Sequence, residues 1–347
     1  MTQLEVNRRA PDWGTLNVGE TRIPLRLVVG VVGGLLWLLV MVVQTGGEAF
    51  TALTTNLLYL LPLILLGTLT RTVSLRILLM LFLTGAFLMG VMLVAGIFLA
   101  PLGDQASGLF GPLLEEILKI APVVYLLWRW RARETWWLGA TDVLLMAAVS
   151  GAGFGLVEDA HIRAKFGWPD QISWLPVTEI IGGRVIPGHA IWTTIAGAGI
   201  GLALMLRHLR PAAIALAVGG FAWAALDHVT NNMGTLEILG TLSIVVLIVG
   251  VAAAIGIDHY VLARPRPSVP EFSTPPSSAT GMEAFATRWS FAAGRRALAY
   301  ALWRFANASD AERGGLEPAV DGAARSLIER HLATAPAAPS AAPVSGV

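Results

Sequence analysis

Glu115, Glu116 and Lys119 interrupt a run of apolar residues, in Gly-Pro-Leu-Leu-Glu-Glu-Ile-Leu-Lys. Spacings of four and three put the ammonium on the same helical face as both carboxylates. Near the centre of a membrane helix each ionised group costs about 2.5–3.5 kcal/mol, so three unpaired ones would cost roughly 7–10 kcal/mol. Ion pairing, a wet cavity or a metal ion would offset that cost; a helix lying at the interface instead of spanning would avoid it. Three more apolar segments carry polar groups: Glu158 in Gly-Phe-Gly-Leu-Val-Glu-Asp, His189 in Pro-Gly-His-Ala-Ile-Trp, and His228 with Asn232 in Asp-His-Val-Thr-Asn-Asn. His228 and Asn232 are four apart and share a helical face.

Two histidines and a carboxylate, with water in the fourth position, make a catalytic zinc site. Such a metal acidifies its water and polarises a carbonyl. A nearby carboxylate takes the water's proton, and an amide donor stabilises the resulting oxyanion. The inventory therefore fits peptide-bond hydrolysis in or beside a bilayer. Glu115 is the expected general base and Glu158, His189 and His228 the expected metal ligands. Asn232 is the expected oxyanion donor. Glu116, grouped with the catalytic residues, and Lys119 set the charge balance. The chain has no cysteines. That excludes disulfides, thiolate ligands and a Cys nucleophile and leaves a metal to His and oxygen donors, a set that suits zinc.

These residues need helices to position them. Of 347 residues, 55% are hydrophobic and only 14% charged, against about a quarter charged in soluble domains. Lipid must solvate much of this chain. A core about 30 Å thick takes roughly 20 helical residues. The expected architecture is an all-α polytopic bundle with about eight spans, at 24–44, 51–69, 76–100, 108–128, 136–157, 186–206, 212–232 and 237–262. Met1 to Glu20 is polar and is not a cleavable signal.

Arginines mark alternate connections: Arg8, Arg9, Arg22 and Arg26; Arg71 and Arg76; Arg129, Arg131 and Arg133; Arg207 and Arg210; Arg264 and Arg266. The connection at 158–185 departs from the alternation, with Arg163, Lys165 and Arg184. The positive-inside rule puts both termini in the cytoplasm. All four polar groups then fall in the outer leaflet of a multi-pass cell-membrane protein. His161 is an alternative ligand if its helix continues outward. Asp227 points about 100° away from its neighbour His228 and is expected to be a partner behind the site or in a loop. Asp142, near the inner end of the fifth span, is the main intramembrane acid away from the cluster.

Residues 1–23 form a cytoplasmic segment, 24–263 the membrane protease domain and 264–347 a cytoplasmic tail. The tail opens on a Pro/Ser-rich linker and ends in a disordered Ala/Pro/Ser stretch. Between them, 281–333 reads either as a short amphipathic helix on the leaflet or as a loosely folded segment. A net charge of +1 gives no sign of nucleic-acid binding; the expected partners are lipid and a membrane-anchored protein substrate.

Four motifs in order, Glu115-Glu116-x-x-Lys119, Phe154-x-x-x-Glu158, Arg184 followed by His189-Ala-x-Trp192, and His228-x-x-x-Asn232, resemble the PrsW family of intramembrane proteases, over about residues 108–235. That family is related to CAAX-processing and bacteriocin-processing membrane proteases. CAAX-type relatives usually carry His where this chain has Glu158 and Arg in place of Lys119, which favours the PrsW branch. The resemblance implies cleavage of a membrane-tethered protein, for some members an anti-sigma factor cut on its extracytoplasmic side. It leaves open whether the water is zinc-bound or activated by glutamate alone. Two other readings use the same residues. A proton- or ion-coupled transporter needs polar groups through the whole membrane depth. A non-catalytic membrane scaffold would act through its tail, and deleting 265–347 would then abolish scaffolding but largely spare proteolysis.

Overall fold

The computed structural model describes residues 15–18, 21–24, 39–131, 137–166, 178–181, 184–264 and 281–310, and part of 313–327. Two short strands, β1 (Thr15–Val18) and β2 (Thr21–Pro24), form an antiparallel hairpin. Residues 39–45 are helical; of the rest of the first expected span, Pro24 belongs to β2 and 25–38 lie outside the described residues. The helices that follow are α1 (Glu48–Leu66), α2 (Leu75–Leu99), α3 (Asp104–Arg131) and α4 (Ala140–Phe166). A second antiparallel hairpin, β3 (Thr178–Ile181) with β4 (Arg184–Pro187), leads into α5 (His189–Met205). The chain continues through α6 (Arg210–Asn232), α7 (Ile238–Ala263) and α8 (Gly281–Ala306).

Five stretches of the described chain are long and apolar enough to cross a membrane: Glu48–Leu69, Leu75–Leu102, Ala140–Lys165, Arg210–Asn232 and Ile238–Ala263. Apart from Ala140–Lys165, they expose large apolar residues such as Leu61, Phe87, Phe98 and Val249 on their outer sides, a surface suited to lipid. Two further expected spans are helices of a different kind. α3 carries Glu115, Glu116 and Lys119 with Pro112 and Pro122 inside it. α5 has 17 residues, roughly 26 Å at 1.5 Å per residue; residues 186 and 187, expected within this span, belong instead to β4.

The core is built round α4, whose apolar window is wholly buried. Small residues allow this. A Cβ at Gly153 would lie 1.9 Å from the Phe82 carbonyl oxygen of α2, and one at Gly151 2.8 Å from the His189 carbonyl oxygen of α5. Close backbone approach of this kind is how membrane helices gain packing energy where the solvent is itself apolar. Tyr59 of α1 donates to Thr194 of α5 across 2.8 Å, and Ser150 of α4 donates to the Lys119 carbonyl of α3 across 2.7 Å.

The first turn of α4 is capped by two carboxylates. Asp142 accepts from the main-chain nitrogens of Thr72, Val73 and Gly139 at 2.7–2.9 Å and from the Thr72 hydroxyl at 2.7 Å. Asp258 of α7 accepts from the nitrogens of Ala140 and Thr141, each at 2.8 Å. Carboxylates here satisfy otherwise orphaned N–H groups and oppose the positive end of the helix dipole.

The tail helix α8 packs on this same end of the bundle. Tyr300 is fully buried and donates to the Thr70 carbonyl at 2.9 Å. Arg296 donates to the Arg71 carbonyl at 2.8 Å, and Arg304, 2% exposed, donates to the Leu138 carbonyl. Burial holds Arg304 below the usual arginine range, at about 10. Residues 281–306, read from sequence as either a short amphipathic helix or a loose segment, form a helix in which Ala297 to Ala301 are buried.

Candidate active site

Four helices bring their polar residues together. α3 supplies Glu115, Glu116 and Lys119, α4 Glu158, α5 His189 and α6 His228. From Asp142 to Glu158 along α4 is 16 residues, roughly 24 Å at 1.5 Å per residue, so this cluster sits at the opposite end of the bundle from α8.

His228 occupies the centre. Its Nδ1 lies 2.8 Å from Glu116 Oε1, an arrangement in which Nδ1–H donates to the carboxylate and leaves the Nε2 lone pair free. That Nε2 is 3.6 Å from Glu115 Oε2. The same Glu116 oxygen accepts from Lys119 Nζ at 2.5 Å, so one buried carboxylate anchors both the histidine and the ammonium. Lys119 Nζ also lies 2.8 Å from His189 Nδ1. The other nitrogen of His189, Nε2, lies 2.9 Å from Glu158 Oε2. Lys119 is completely buried, above the faces of Phe154 and Trp192 at 5.3 and 5.5 Å.

Ligand atoms of Glu115, His189 and His228 all lie within 4.8 Å of one another, and all three residues are buried. The sequence grouped Glu158 with the histidines and gave Glu115 the role of base; the carboxylate that converges with both histidines is that of Glu115. Glu158 contacts His189 from the more open side, its side chain 18% exposed against 10% for Glu115. It lies inside α4, which runs on to Phe166, and does not end its helix as expected. The Ala-rich continuation to Phe166 carries Arg163 and Lys165 in its last turn, the favourable end for cations. That extension leaves His161 exposed, away from the cluster. Asn232 is also exposed, one turn beyond His228 at the end of α6.

The donor set fits a divalent metal. Glu115 Oε2 is buried without a hydrogen-bond partner. With both imidazoles neutral, the carboxylates of Glu115, Glu116 and Glu158 against the Lys119 ammonium leave two negative charges, which a divalent cation cancels. The contacts of 3.6 and 3.9 Å from Glu115 Oε2 to the two imidazoles are a little wider than the roughly 3.3 Å between ligand atoms on bonds of about 2.0–2.1 Å.

Asp227, expected as a partner behind the site or in a loop, shares a polar contact with Ser243, which sequence patterns did not reveal. The Trp192 indole stacks on His228, with centroids 4.0 Å apart and planes 18° apart. Its Nε1 donates to Asp227 Oδ2 at 2.8 Å, and Ser243 of α7 donates to the same oxygen at 2.5 Å. The Trp192 position was visible in a motif; Ser243, inside an apolar run, gave no signal.

A profile of the PrsW family intramembrane metalloprotease matches residues 73–257, more than half of the chain. No curated relative and no solved structure is matched. The matched stretch takes in every helix that contributes to the cluster, and on that ground the chain belongs to the PrsW family of intramembrane metalloproteases and is a multi-pass membrane peptidase.

Proposed function

We propose that this chain hydrolyses a peptide bond of a membrane-anchored protein close to the extracytoplasmic surface, with eight spans and both termini in the cytoplasm. The observation that carries this reading is the meeting of Glu115, Glu158, His189 and His228, from four separate helices, in one buried cluster.

Glu115, His189 and His228 would hold the metal, and zinc suits one carboxylate and two imidazoles. Bound there, zinc would acidify a water molecule and polarise the scissile carbonyl. Glu116 fixes the tautomer of His228 by accepting its Nδ1–H, the role a carboxylate plays behind many metal-binding histidines. Glu158, on the open side of the cluster, takes a proton from the attacking water as the new C–O bond forms. It returns that proton to the amide nitrogen as the C–N bond breaks, giving a carboxylic acid and an amine, and the water's second proton then passes from the acid to the amine. Lys119 holds Glu116 in place and offsets part of the negative charge; its contact with His189 Nδ1 would give way where that nitrogen takes the metal. Asn232, exposed a turn beyond His228, is available to donate to the substrate oxyanion as the chain arrives from the surface. A transmembrane proton relay draws less support, because Asp142 accepts four hydrogen bonds at the start of α4.

The test is cleavage of a co-expressed single-span substrate by Glu115→Gln, Glu158→Gln, His189→Ala and His228→Ala variants that accumulate normally. Each is expected to lose at least 100-fold in rate, a typical contribution of a positioned acid–base group. Asn232→Ala is expected to lose about 10²–10³-fold. Metal analysis should find about one equivalent of zinc in the parent protein and much less in His189→Ala. Undiminished cleavage by both histidine variants would exclude the reading.

A further inference from the structure

We propose that Trp192, Asp227 and Ser243 form a positioning relay that sets the ring plane of His228, so that its Nε2 faces Glu115. The inference rests on the protease reading above and adds residues to it.

A histidine held through one nitrogen can still swing about that hydrogen bond. Glu116 fixes His228 Nδ1 but leaves the ring free to rotate about the Nδ1–Oε1 line. The Trp192 plate, stacked at 4.0 Å and 18°, removes that freedom. The same indole stands edge-on to the His189 ring, at 5.4 Å and 82°. One rigid side chain from α5 therefore touches both imidazoles.

The plate is itself tethered. Trp192 Nε1 donates to Asp227 Oδ2 at 2.8 Å, Ser243 Oγ donates to that oxygen at 2.5 Å, and Trp223 Nε1 donates to Ser243 Oγ at 2.8 Å. The chain of contacts joins α5, α6 and α7. Trp192, Asp227 and Ser243 are 3%, 2% and 0% exposed.

A carboxylate is an expensive acceptor to bury. A tie whose only purpose was to join helices would be served by a neutral oxygen at lower desolvation cost. The charged acceptor makes shorter and stronger bonds, which suits a tether whose task is precision. Asp227 is adjacent to His228 and about 100° round the helix from it. It faces α5 and α7 while its neighbour faces the pocket, and it does not belong to the group of converging ligand atoms. Its place is behind the histidine, acting through Trp192.

The experiment uses the purified full-length protein in detergent, a single-span substrate and zinc. The variants are Asp227→Ala, Asp227→Asn, Ser243→Ala, Trp192→Phe and the Trp192→Phe/Asp227→Ala pair. Asp227→Ala and Trp192→Phe should each lower kcat and zinc affinity about 10–100-fold, the usual effect of losing a group behind a metal ligand. KM should stay within about twofold, since substrate contacts are untouched. Asp227→Asn keeps an acceptor oxygen but loses the charge that strengthens its bonds, and should recover only part of the loss. The double variant should be no worse than the worse single one, because both break one tether. Should Asp227→Ala fail to fold, Trp192→Phe and Ser243→Ala carry the test. Parent-like kcat and zinc affinity in Trp192→Phe and Ser243→Ala, or fully additive losses in the pair, would overturn the relay. Glu115→Gln and His228→Ala separate the two levels: if they stay active the protease reading fails, and if they are dead while the tether variants are fully active only the relay fails.

Discussion

At the scale of single residues, Glu116 ties the ammonium of Lys119 to the imidazole of His228. It accepts from Lys119 and His228 through one oxygen and is 1% exposed. Removing one member of a buried ion pair leaves the other charge uncompensated, at a cost of about 3–5 kcal/mol, whereas removing both costs much less. Lys119→Met is therefore expected to lower the melting temperature in detergent sharply. The Glu116→Gln/Lys119→Met pair should recover much of that loss without restoring cleavage. A thermal-unfolding cycle over the four proteins checks this, and an additive pair would show that the two charges do not depend on each other. The Glu-Glu-x-x-Lys spacing predicted that the ammonium and carboxylates share a face. It could not say which carboxylate meets which histidine. That depends on the relative rotation of α3, α4, α5 and α6, and no local pattern encodes it.

At the scale of elements, α4 decides how close the catalytic helices come. Its glycines stand where backbones touch: Gly153 against α2 and Gly151 against α5. A Gly153→Val side chain would have to displace the Phe82 carbonyl oxygen, since even a Cβ would lie 1.9 Å from it. Overpacking of this kind costs typically 1–3 kcal/mol and occasionally more; a backbone obstacle puts this case at about 3 kcal/mol or above. Melting temperature and cleavage should fall together in Gly153→Val, while Gly219→Val, where nothing lies within 4 Å of the added Cβ, should leave both nearly unchanged. In the sequence, Ser-Gly-Ala-Gly-Phe-Gly looked like an ordinary part of an apolar span. Its meaning lies in the neighbours it admits.

At the scale of the whole molecule, the two ends of the bundle have different tasks. One end gathers the cluster of Glu115, Glu158, His189 and His228. The other is closed by Asp142, Asp258 and the tail helix α8, with Tyr300 and Arg304 buried against the bundle. Deletion of 265–347, expected from sequence to spare proteolysis, should instead lower stability, because it strips the cover from Thr70, Leu138 and Met205. We expect a drop of several degrees in melting temperature and reduced accumulation, checked by fluorescence-detected size exclusion and thermal unfolding. Unchanged stability on deletion would mean that the packing of α8 contributes little.

By itself the sequence determined that lipid is the solvent and that most of the chain is helix, and it singled out Glu115, Glu116, Lys119, Glu158, His189 and His228, which the fold brings together. Composition, apolar run length and the cost of burying charge are local or additive quantities, and they can be read from one chain. Only the tertiary structure decided that Glu115 rather than Glu158 converges with both histidines, that Trp192 and Asp227 stand behind His228, and that the tail helix is part of the bundle. Those facts depend on helix rotation and close approach. They are set by contacts between residues such as Trp192 and Asp227, which lie far apart in the chain and carry no mark of each other until the helices pack.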